Sequence, residues 1–80
     1  MNEFEIDGNK IEENEHDYLK EVFDLPTFDG DYESIYQYLS GFYNKTVVNI
    51  TNKDKIDPEL LIAFERAGED NSFVKIIIND

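Results

Sequence analysis

Apolar residues come in clusters along this chain, some spaced as strands and others as helices. Phe4-Glu5-Ile6 alternates in and out and predicts a short strand, closed by the turn-forming Asp7-Gly8-Asn9. Tyr18, Leu19, Val22 and Phe23 then fall on one helical stripe. Asn14 can cap that helix, Asp17 suits its positive end, and Leu25-Pro26 marks its far boundary. Pro26-Thr27-Phe28-Asp29-Gly30 reads as a loop, and Asp31 as the cap of a second helix reaching about Leu39 and stopped by Gly41. Within it Tyr32, Ile35 and Leu39 share one face, while Glu33, Tyr36, Gln37 and Ser40 share another.

The β-branched run Thr46-Val47-Val48-Asn49-Ile50-Thr51 predicts a second strand, and Asn52-Lys53-Asp54-Lys55 a polar connection. Asp57 and Pro58 open a third helix, with Leu60, Leu61, Phe64 and Ala67 as its buried stripe and Gly68 at its end. Phe73 to Ile78 predicts the last strand, and its three consecutive isoleucines suit a sheet covered on both faces. The order β-α-α-β-α-β implies an α/β fold: a small three-stranded, mostly parallel sheet packed by about three helices. With 80 residues the whole span 1–80 is expected to be one domain. Such a chain hides only about 60% of its unfolded surface.

Charge sharpens the picture. Nineteen acids against seven bases give a net charge of -12, and residues 1–39 hold twelve of the acids but only Lys10 and Lys20 as bases. Such a field repels nucleic acid and anionic membranes and draws in basic protein surfaces. Cysteine is absent, which excludes a disulfide framework, a thiolate metal site and a cysteine nucleophile. The beginning of the sequence lacks the pattern of a signal peptide, and no apolar run nears the ~20 residues that cross a bilayer. A cytoplasmic protein, monomeric when free, is the expectation.

Chemistry by catalysis finds little support. His16 is the single histidine, with no adjacent serine to activate, and reads as a surface residue near a helix start. Asp29, Asp31 and Glu33 resemble the opening of a calcium loop, but Ser34 stands where glycine is needed and Ser40 where glutamate is needed. The glycines form no phosphate-binding pattern. No metal, no cofactor and no enzymatic activity are expected.

Four stretches taken in order carry a resemblance. They are Ile6-Asp7-Gly8-Asn9-Lys10-Ile11; Asp17 to Phe23 with Leu25-Pro26; Phe28-Asp29-Gly30-Asp31-Tyr32-Glu33-Ser34-Ile35-Tyr36-Gln37-Tyr38-Leu39; and Phe64-Glu65-Arg66-Ala67 with Ile76-Ile77-Ile78. Together they resemble the barstar family of ribonuclease inhibitors over nearly the whole chain, and the ordered set persuades more than any one motif. About one residue is missing after Gly30, and around 51–57 family members often carry an additional short helix.

The resemblance implies that the loop and second helix enter the active-site cleft of a basic ribonuclease, where carboxylates stand in for substrate phosphates. It implies a protein partner, with no nucleic acid and no membrane. By position, Glu33 stands where the family has an aspartate, Tyr36 where it has a tryptophan, and Ser40-Gly41 at its threonine-glycine, while Phe28 matches a loop aromatic. Gln37 replaces the family's anchoring aspartate, and Arg66 stands where a glutamate is frequent. Asp29 and Asp31 can restore part of that negative charge, and an altered target is expected. Two alternatives stay open: an immunity protein against a different nuclease toxin, and an acidic adaptor for a basic non-enzymatic protein.

Overall fold

In a computed structural model, residues 1–79 of the chain are described. The order is β1 (Asn2–Asp7), α1 (Gly8–Val22), α2 (Tyr32–Ser40), β2 (Thr46–Thr51), a short 3-10 helix (Lys53–Lys55), α3 (Pro58–Asp70) and β3 (Val74–Asn79). The three strands form one parallel sheet in the order β1-β2-β3, with Phe4 beside Val48 and Val48 beside Ile76. This is the expected α/β architecture, parallel throughout.

Strand order and chain order coincide, so right-handed crossovers place the intervening helices on one side of the sheet. Phe4, Ile6, Val48 and Ile50 face those helices, and Ile6, Val48 and Ile50 are buried with Leu19, Phe23, Ile35, Leu39, Leu60 and Phe64. The ring of Phe23 sits at the centre, edge-on to Phe4 at 5.0 Å and to Tyr38 at 5.8 Å. The helical stripes read from the sequence are the ones that reach this core.

Five features differ from the expectation. The Asp7-Gly8-Asn9 segment is no turn: Asp7 caps α1 directly, its side chain accepting from the Asn9 N–H at 2.9 Å. Gly8 is buried against Asn52, where a Cβ would stand 1.9 Å from the carbonyl oxygen. The cap read at Asn14 does exist, but inside α1. Asn14 leaves the helical conformation, and its side chain restarts the second half by bonding the backbone and carboxylate of Asp17.

Gly68 does not end the third helix, which runs on to Asp70. The lack of a Cβ at Gly68 instead lets α3 approach β3, since a Cβ would lie 2.9 Å from Ile76 Cγ1. The polar connection at 52–55 contains the 3-10 turn, and it falls where the resemblance leaves room for a short helix. Lastly, the sheet is covered on one face only. Ile76 is half-buried toward the helices, Ile77 lies half-buried on the opposite face, and Ile78 is 37% exposed at the edge. The isoleucine run reflects β-branched strand preference rather than burial on both sides.

Candidate protein-binding site

The loop after α1 is shaped from beneath. Phe28 is buried in the core, its ring edge-on to His16 at 5.3 Å, and its carbonyl oxygen lies 3.0 Å from His16 Nε2. Gly30 then takes a φ of +95°, a left-handed conformation that a side chain would resist. This turn lifts Asp29 and Asp31 into solvent. Each fixes the next step of the chain: Asp29 Oδ1 accepts from the Asp31 N–H at 3.1 Å, and Asp31 Oδ1 accepts from the Glu33 N–H at 3.0 Å. Asp31 is thus the N-cap of α2, and the positive end of the helix favours all three carboxylates that gather there.

The helix itself is gripped on both flanks. Tyr32 donates its hydroxyl to both oxygens of Glu15 on α1, at 3.0 and 2.9 Å. Burial and that carboxylate raise the Tyr32 pKa well above the usual phenol value. On the other flank Tyr36 donates its hydroxyl to Asp70 of α3, and that bond first, with partial burial, raises its pKa too. The guanidinium carbon of Arg66 stands 4.2 Å from the centroid of the Tyr36 ring, and Nη1 lies 3.5 Å from Glu33 Oε2.

Glu33 and Tyr36 therefore share a face, as their spacing predicts, and α3 reaches across to both. Gln37 lies exposed on the same face, and its carbonyl accepts from Ser40 Oγ at 3.2 Å. Gly41 caps the end of α2 and is exposed. Of the residues read from the sequence, Asp29, Asp31, Glu33, Tyr36, Gln37, Ser40 and Gly41 form a continuous strip from the loop to the helix end. Phe28 departs from it: the residue is only 7% exposed and its ring holds the loop from inside, leaving Tyr36 as the aromatic on the strip.

Two supports escaped the sequence reading, and a third was noted there without its contacts. Asn71, just beyond α3, is buried and donates Nδ2 to the carbonyls of Ser40 at 3.0 Å and Phe42 at 2.9 Å, while Oδ1 accepts from the Phe73 N–H at 2.9 Å. It pins the far end of α2 to the start of β3. Asp70 is the other, and Arg66, noted only as standing in place of a glutamate, is the third. Their i, i+4 spacing puts them on one face of α3, but nothing in that spacing says which helix they meet.

The arrangement offers hydrogen-bond acceptors, negative charge and one aromatic face on a helix held at both ends. Among the described residues no group of three or more His, Asp or Glu side chains is placed to hold a metal ion. Likewise, no helix there is long and apolar enough to cross a membrane. No protein-family model matches the chain, and neither does any curated protein.

Proposed function

We propose that the chain is an inhibitor of a basic ribonuclease, acting in the cytoplasm by covering the enzyme's cleft with the 28–31 loop and α2. The observation that carries this reading is the exposed run of Asp29, Asp31 and Glu33, held at the start of a fixed helix and followed by Tyr36. Carboxylates gathered in this way can accept charge-assisted hydrogen bonds from arginines and lysines, and the protein's net charge of -12 speeds the encounter. The β-α-α-β-α-β order with three parallel strands agrees with the fold that the barstar resemblance implies. The chain inhibits by occupying the cleft and performs no chemistry of its own.

Alanine at Glu33 and at Tyr36 tests the face directly. Each substitution is expected to weaken binding to a small basic ribonuclease about tenfold or more while the circular dichroism stays that of the parent. Unchanged affinity in both would remove α2 from the interface. Gln37 favours one refinement. A neutral amide in the middle of the strip suits a nuclease toxin other than a barnase-type enzyme, because specificity turns on single charge changes at such positions. Inhibition of the product of a neighbouring toxin reading frame, without inhibition of a barnase-type enzyme, would identify that case.

A further inference from the structure

The candidate face already holds a cation. Arg66 reaches from α3 to place its guanidinium over the Tyr36 ring at 4.2 Å and beside the Glu33 carboxylate at 3.5 Å. Asp70, one turn further along α3, accepts the Tyr36 hydroxyl and holds the ring under the guanidinium. The side chains of Glu33 and Arg66 are each 49% exposed, so their pair stands in water rather than in the core. An open ion pair and an open cation–π contact are each weak, and water screens both. Arg66 is therefore held well enough to be found there and loosely enough to leave.

We propose that Arg66 is an intramolecular competitor at the binding face: it occupies the cation seat formed by Glu33 and Tyr36, and a basic partner docks by displacing it. The inference rests on the reading that α2 meets a basic cleft. Every base of the partner that approaches this seat meets a like charge and a filled carboxylate, so only a cleft with several well-placed cations overcomes the competition. Arg66 thereby sets which partners bind, and its removal opens the seat.

The test uses a barnase-like ribonuclease as probe and measures its affinity for the folded full chain and its variants by calorimetry. Arg66→Ala and Arg66→Gln are expected to bind about tenfold more tightly than the parent, the combined effect of two weak exposed contacts and a relieved repulsion. Lys10→Ala removes the same unit of charge from α1, away from the strip, and is expected to gain far less. In a Glu33→Gln background the gain from Arg66→Ala is expected to shrink, since the seat has lost its carboxylate. Parent binding with Arg66→Ala no tighter than Lys10→Ala would overturn the competitor and leave the inhibitor reading standing. An undiminished gain in the Glu33→Gln background would also overturn it. No binding by any variant, with folds intact, would overturn the competitor and, for a barnase-type enzyme, the inhibitor reading with it.

Discussion

Gly8 and Asn71 each hold two elements together, and neither is conspicuous in the sequence. Gly8 looks like part of a turn, because glycine between aspartate and asparagine is usually there for its backbone freedom. Here it is present for its missing side chain, since the Asn52 carbonyl fills the space a Cβ would need. Gly8→Ala is expected to destabilise the fold by about 3 kcal/mol or more, as a contact of 1.9 Å with backbone cannot be relieved by a rotamer change. Urea unfolding of the two proteins measures it, and a loss below ~1 kcal/mol would show that Asn52 moves aside easily.

Asn71 satisfies carbonyls at the end of α2 that the helix itself leaves unpaired. Asn71→Ala should cost about 2 kcal/mol, and Asn71→Asp more, because a carboxylate cannot donate and would face those carbonyl oxygens. Equal stability of the two variants would deny the donor role. No local pattern could have announced this residue. Its partners lie some thirty positions earlier, and such pairings exist only once the chain has folded.

Among the elements, the ones with local grammar were legible. The span of β2, the Asp31 cap with the Gly41 end, and the Asp57-Pro58 start of α3 all appear as their residues predict. The errors came where tertiary packing overrode local preference. Gly68 reads as a stop because glycine is a poor helix former, yet the helix continues because β3 needs the close approach. The covered faces of the sheet were misread from Ile76-Ile77-Ile78, since a run of isoleucine does not reveal whether its strand lies at an edge.

The contacts between helices make a prediction in pH. Tyr32 of α2 is tied to Glu15 of α1, Tyr36 of α2 to Asp70 of α3, and Tyr38 is raised mainly by burial. A phenol that keeps its proton more tightly when folded stabilises the fold fully below its ordinary pKa of 10.0, and loses that contribution as pH rises toward the raised value. These groups leave stability level through neutral pH and reduce it above about pH 10. Urea titrations on either side of that point should show the fall, and Tyr32→Phe should lessen it. An alkaline slope unchanged in Tyr32→Phe would contradict the coupling between α1 and α2.

For the molecule as a whole, the strip from Asp29 to Gly41 was partly legible because its residues follow one another along a loop and one helix face. What was not legible is how α3 completes it, with Arg66 seated over Tyr36 and Asp70 holding the ring, and the inward turn of Phe28. The net charge of -12 and the sequence of exposed carboxylates support the proposal that this surface covers the cleft of a basic nuclease. Long-range attraction of this kind weakens as salt shortens its reach, from about 30 Å at 0.01 M to about 8 Å at physiological strength. The most direct test is to titrate the protein into a barnase-like ribonuclease and follow RNA cleavage at low and at physiological salt. An inhibitor of this kind should act stoichiometrically at low salt and more weakly at physiological salt. Cleavage undiminished at both salts, by this enzyme and by the nuclease product of a neighbouring toxin reading frame alike, with the protein shown to be folded, would contradict the proposal.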